Sequence, residues 1–129
     1  MTGYHVLIKP AIKETHDKGR AKNGMFIAVP DPIKNQINDI SPGYWRIQAA
    51  ILSCKYFNFL IINSYFPVDR QNANDRELVE LMETLEVIKH TIDNNEFDDI
   101  LWLGDINCDF LRNSAHLNQI RNFIEEFSI

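Results

Sequence analysis

Cysteine is scarce in this 129-residue chain: Cys54 and Cys108 are its only two. They form neither a CxxC pair nor part of a Cys/His ligand set, so neither a disulfide framework nor a structural zinc site is indicated. The reduced thiols fit an intracellular compartment, nucleus or cytoplasm alike. Long apolar runs are missing as well. The longest, 49–52 and 59–62, fall far short of the roughly 20 residues of a membrane helix. Residues 1–10 lack the basic start, apolar block and small-residue cleavage site of a secretion signal. No repeat, low-complexity tract or Ser/Gly linker divides the chain, which reads as one domain over 1–129.

Basic residues are in the minority, 13 Lys and Arg against 18 Asp and Glu, for a net charge of −5. That balance argues against holding nucleic acid by bulk electrostatics alone. The charge is unevenly spread: residues 1–60 carry eight basic and four acidic side chains, net +4, and residues 61–129 carry five and fourteen, net −9. Lys9, Lys13, Lys18, Arg20 and Lys22 concentrate the basic share in one early loop. Such a cluster is usually a solvated loop, and the functional alternative is contact with a phosphate backbone.

What is present is a globular composition, 45% hydrophobic and 24% charged, patterned as strands followed by a helix, a strand and a helix. Residues 4–8 and 25–29 are short β-rich runs closed by Pro10 and by Pro30 and Pro32. Residues 45–52 alternate after the turn signal Ser41-Pro42-Gly43, with Trp45, Ile47, Ala49 and Ile51 on one face and Arg46, Gln48 and Ala50 on the other. Residues 57–65 are aromatic and β-branched, and apolar on both faces near Leu60 to Ile62, as expected of a central strand. From Asp75 the period becomes helical, with Leu78, Leu81, Met82, Leu85, Ile88 and Ile92 on one stripe and Asn74 with Glu77 as a capping box. Residues 100–103 then form a buried four-residue strand. A second amphipathic helix begins near Ser114, with Leu117, Ile120, Phe123, Ile124 and Phe127 inward. Its apolar stripe runs to the last residue, and the chain reads as the middle of a larger α/β domain.

The sharpest local feature is Leu103-Gly104-Asp105-Ile106-Asn107 at the end of that strand. Gly104 lets the backbone bend close to a ligand. Two-residue spacing in extended backbone would put Asp105 and Asn107 on one side, where a carboxylate can bind a divalent metal or accept a proton and an amide can donate to a phosphate oxygen. An ordinary Asp/Asn turn after an edge strand is the plainer alternative. Tyr65, in Tyr65-Phe66-Pro67, would present a phenol at the mouth of the sheet, or else simply close the core.

Four strings occur in order: Gly19-Arg20-Ala21-Lys22-Asn23-Gly24-Met25-Phe26-Ile27, Tyr44-Trp45-Arg46-Ile47-Gln48, Ile62-Asn63-Ser64-Tyr65-Phe66-Pro67, and Trp102-Leu103-Gly104-Asp105-Ile106-Asn107-Cys108-Asp109-Phe110. Together they resemble the endonuclease/exonuclease/phosphatase superfamily, the deoxyribonuclease-like fold, and most closely the endonuclease domain of LINE-type retrotransposons. The resemblance implies a four-layer α/β sandwich, here partial and truncated at both ends. It implies phosphodiester cleavage with Mg²⁺ or Mn²⁺, DNA as the partner, Asp105 as metal ligand and activator of the attacking water, and Asn107 and Tyr65 as donors to the scissile phosphate. Arg20 and Lys22 would be nucleic-acid contacts.

Two family motifs are missing, a Gln-Glu pair after an early strand and a late Ser-Asp-His. Glu14 lies too close to Gly24 to serve as the first, and His5, His16, His90 and His116 are scattered. The metal would therefore be incompletely liganded, and the isolated chain is expected to be inactive. Two rivals stay open: a phosphatase or phospholipid phosphodiesterase of the same fold acting on a phosphorylated small molecule or lipid, and a catalytically dead nucleic-acid-binding or interaction remnant.

Overall fold

The computed structural model describes residues 3–10, 24–69 and 75–129. Strands β1 (Tyr4–Lys9) and β2 (Met25–Pro30) form an antiparallel pair in register from Tyr4↔Pro30 to Lys9↔Met25. A 3₁₀ helix follows over Asp31–Gln36, with Pro32 in its first turn, where a missing N–H is tolerated. A second sheet has the order β3 (Ile37–Asp39), β4 (Ile47–Ser53), β5 (Asn58–Tyr65), β6 (Asp99–Asp105). Its first three strands are antiparallel, whereas β6 lies parallel to β5. A parallel neighbour needs a crossover, and α1 (Asp75–Asp93) supplies it, with α2 (Ala115–Phe127) packed alongside.

The helices cover one face of the second sheet. Ile47, Leu60 and Ile62 meet Leu81, Leu85, Ile88, Ile120 and Phe123 there in one core. On the opposite face the β1–β2 pair is fastened by side chains to backbone. Gln48 Nε2 donates to Leu7 O at 2.9 Å, and Asn63 Nδ2 to Phe26 O at 3.3 Å. The Lys9 ammonium donates to Ile47 O at 2.7 Å and also to Tyr44 O. Burial pushes that ammonium below the ordinary lysine value, with Asp39 opposing. Three layers result: helices, a four-stranded sheet and a two-stranded sheet, a mixed α/β arrangement.

Several expectations are corrected. The strand expected from residue 45 begins at Ile47, because Trp45 and Arg46 lie in a turn. The 3₁₀ helix and β3 occupy a stretch to which patterning assigned no element; three residues of strand are too few to show a period. Strand β6 is buried on one face only: Ile100 and Trp102 pack on the core, while Leu101 and Leu103 are 46% and 47% exposed. The physical reason is reach, since the hydrogen bonds of the β1–β2 pair go to β4 and β5. Met82 is half exposed despite its place on the α1 stripe. Thr84 and Thr91 lie inside instead, donating to Glu80 O and Val87 O one turn back. Asn74 of the expected capping box lies outside the described residues. Ser114, where the second helix was expected to begin, is its N-cap, accepting from Leu117 N at 3.1 Å.

Candidate functional site

Parallel pairing of β5 and β6 runs from Phe59↔Asp99 to Tyr65↔Asp105. The last pair sets a tyrosine and an aspartate in register at the C-terminal ends of two adjacent strands. By strand alternation both share the sheet face of Ile61, Asn63, Leu101 and Leu103, away from the helices. Tyr65 is about one-third exposed and Asp105 is exposed. Gly104 makes this closeness possible. Its φ is +124°, and a Cβ there would stand 1.9 Å from Ser64 O.

Beyond Asp105 the strand stops and the chain folds back on β5. Asp105 Oδ1 accepts from Asn107 N at 3.0 Å, an Asx turn, and Asn107 takes a left-handed φ of 48°. The two side chains are therefore not the extended pair that their spacing predicts. Asn107 Nδ2 donates to Phe66 O at 2.9 Å, leaving its second amide proton for another acceptor. Phe66 N donates to Asp105 O at 2.8 Å, and Asp69 N to Asn107 O at 3.1 Å. Three hydrogen bonds thus fix the two strand tips relative to each other, and the Asx turn shapes one of them.

Asp69 ties this turn to α2. Its side chain is 5% exposed and accepts from Ser114 Oγ at 2.6 Å and Cys108 Sγ at 3.6 Å, with Arg112 Nη2 at 3.8 Å. Burial pushes the Cys108 thiol up; the Ser114 hydrogen bond and Arg112 oppose, and Asp69 adds to the rise. Reactivity follows thiolate character and access. Cys54, which is exposed, is therefore expected to alkylate with iodoacetamide at pH 8 about tenfold faster than Cys108. Peptide mapping over a time course checks this, and equal rates would contradict the packing around Asp69.

Of the residues singled out from sequence, Tyr65, Asp105 and Asn107 come together at one pair of strand tips. Arg20, Lys22, Glu14 and His16 lie outside the described residues. His90 stands 3.3 Å from Glu86 on the solvent side of α1. His116 is 3% exposed and its Nε2 has no partner among the described residues. Sequence reasoning passed over Arg46 and Asp69, which hold the site from below. Arg46 gave one usable signal, an arginine alternating with apolar residues in a strand-like run.

Among the described residues no group of three His, Cys, Asp or Glu side chains could hold a metal ion. Asp105 is a lone carboxylate with one oxygen already bonded to Asn107 N. A divalent cation takes about six oxygen ligands, so these donors do not by themselves fit a dedicated metal site.

No family model matches the sequence, and no curated protein matches it. A solved structure does: the endonuclease domain of TRAS1, a telomere-specific non-LTR retrotransposon, at a TM-score of 0.58 and 15% identity. The match covers 94% of this chain and 52% of that one, so the chain spans about half the length of the solved domain. At that identity the likeness is one of fold, the deoxyribonuclease-like α/β fold.

Proposed function

We propose that this chain carries the strand-tip part of a phosphodiester-cleaving site of nuclease type, with DNA as its partner. The observation that carries the reading is the pairing of Tyr65 with Asp105 at adjacent strand ends, with Asn107 latched two residues on. The fold likeness to a retrotransposon endonuclease domain supports it. In this reading the Tyr65 phenol and the remaining Asn107 amide proton donate to non-bridging phosphate oxygens, neutral donors that add no charge of their own. Asp105, exposed and fixed by the turn, orients a water for attack and accepts its proton.

A Mg²⁺ or Mn²⁺ ion would offset phosphate charge when bound, and Asp105 is the described carboxylate placed to meet it. The sequence lacks the Gln-Glu and Ser-Asp-His motifs of the resembled family, and in this reading the 129-residue chain binds without turning over.

The test is the amide NMR spectrum of the chain titrated with a short DNA duplex. Shifts are expected at residues 65–66 and 104–107, and they should be lost in Tyr65→Phe combined with Asn107→Ala. Plasmid incubated with the chain and Mg²⁺ is expected to stay supercoiled. Shifts at those residues with inositol phosphates or sphingomyelin vesicles, and none with DNA, would move the assignment to a phosphatase or phospholipid phosphodiesterase. DNA shifts confined elsewhere would leave only a binding remnant.

A further inference from the structure

Arg46 is a buried cation, 8% exposed at its side chain, and its contacts run to Tyr65, Trp45 and Glu80. Its backbone carbonyl accepts from Tyr65 N at 2.9 Å, while its Nη1 donates to Tyr65 O at 3.2 Å. One residue thus grips both sides of the other at the point where β5 ends. The guanidinium carbon lies 3.8 Å from the Trp45 ring centroid and 5.6 Å from that of Tyr65. Nη2 donates to Glu80 Oε2 on α1 at 3.0 Å, and Glu80 also receives Arg76 Nε at 3.3 Å. The fork is therefore fixed at one end to a helix and at the other to the phenol-bearing residue.

Holding the turn at 44–46 does not require a charge. A buried ion pair carries a desolvation cost that well-packed apolar side chains avoid, and this one also leaves Nε buried without a partner among the described residues. What an apolar side chain cannot supply is a directional donor to the Tyr65 carbonyl together with a cationic surface beside the ring. Lysine cannot supply the planar fork that reaches Glu80 and Tyr65 at once.

We propose that Arg46, anchored by Glu80, is a positioning residue that sets the Tyr65 phenol beside Asp105 for its phosphate contact. The proposal rests on the nuclease-type reading of the site and deepens it by naming what aims its phenol. Arg46 touches no reacting atom in this role.

The experiment labels the four tyrosines with 3-fluorotyrosine and follows their ¹⁹F signals, Tyr65 being identified by its loss in Tyr65→Phe. Arg46→Lys, which keeps the charge, should move the Tyr65 signal and leave unmoved that of Tyr56, in the β4–β5 connection at the other end of β5, so that a shift at Tyr65 alone separates a local change from loss of the fold. Glu80→Gln should move it in the same direction by less. Binding to the DNA duplex is then measured as a double-mutant cycle. Arg46→Lys should weaken it about tenfold, and should weaken it no further in a Tyr65→Phe background. A Tyr65 signal unchanged in Arg46→Lys overturns the positioning role whatever the chain does with DNA. Full additivity of the two substitutions overturns it too, since a merely structural arginine would weaken both backgrounds alike. A signal that moves in a chain that does not bind DNA supports the grip on Tyr65 and overturns the nuclease reading instead.

Discussion

Gly104→Ala is expected to unfold the chain or to cost about 4 kcal/mol or more, a loss reserved for a few mechanisms. Two of them coincide here. The backbone φ of +124° is a conformation that L side chains rarely adopt, and the added methyl would meet backbone, with Ser64 O at 1.9 Å, Ser64 N at 2.7 Å and Ser64 C at 2.8 Å. A strand backbone in a ladder cannot swing aside as the end of a lysine could. Relief requires β6 to slide or separate from β5 between Ser64 and Tyr65, and that breaks the pairing that sets Asp105 beside Tyr65. Domains of this size are stable by about 5–15 kcal/mol in total, so the loss is a large share. Gly43→Ala is the control. Nothing lies within 4 Å of its added Cβ, and its effect is expected within about 0.5 kcal/mol. Urea melts followed by circular dichroism check both, and a Gly104→Ala midpoint equal to that of the wild type would contradict the β5–β6 register.

That glycine also shows how far the sequence alone could lead. Gly104 before Asp105 reads as a bend of the backbone close to a ligand, whereas the structure sets it against the Ser64 backbone. Which backbone it approaches was not readable, since Ser64 lies 40 positions earlier and the register is decided by packing. The central strand was legible from Leu60 to Ile62, which are 0%, 7% and 0% exposed, because burial on both faces leaves no polar option. Strand β6 misled for the same reason. Its four apolar residues read as buried, yet Leu101 and Leu103 are 46% and 47% exposed, and local hydrophobicity carries no information about whether a covering layer is present.

The site divides along the same line. Tyr65, Asp105 and Asn107 were legible as residues at strand ends, but their geometry was set by bonds over long sequence separations. Asn107 reaches Phe66 and Arg46 reaches Tyr65, 41 and 19 positions away. Asp69 accepts from Ser114 45 positions on. Short-range spacing predicted an extended Asp105 and Asn107 pair, and the Asx turn replaced it because an aspartate oxygen beside an N–H two residues on is a stronger local bond than any that continuation of an edge strand offers.

Phe66→Ala is expected to cost about 3–5 kcal/mol and to loosen the site at the same time. Phe66 is fully buried, with its ring edge-on to Trp102 at 5.6 Å. Trp102 meets Phe123 at 5.7 Å, and Phe123 meets Phe127 at 4.7 Å. This aromatic row joins the end of β5 to α2 through β6. Trp102 Nε1 is satisfied by Ser64 Oγ at 2.8 Å, so the indole cannot shift into a cavity left by Phe66 without stranding a buried donor. The same residue's main chain carries two of the bonds between the strand tips, to Asp105 O and from Asn107 Nδ2. Phe66→Leu keeps much of the volume and should cost about 1.5 kcal/mol or less. Denaturant melts rank the two variants, and amide hydrogen exchange at Asn107 and Asp69 shows whether the tips loosen with the core. Protection of Asn107 should fall in Phe66→Leu by more than the loss in global stability accounts for, because the bonds at the tips depend on where the Phe66 backbone sits. An Asn107 amide that exchanges no faster than the global loss requires would mean that Asp105, Asn107 and Tyr65 hold their arrangement without the aromatic row, and the coupling of core to site would be wrong.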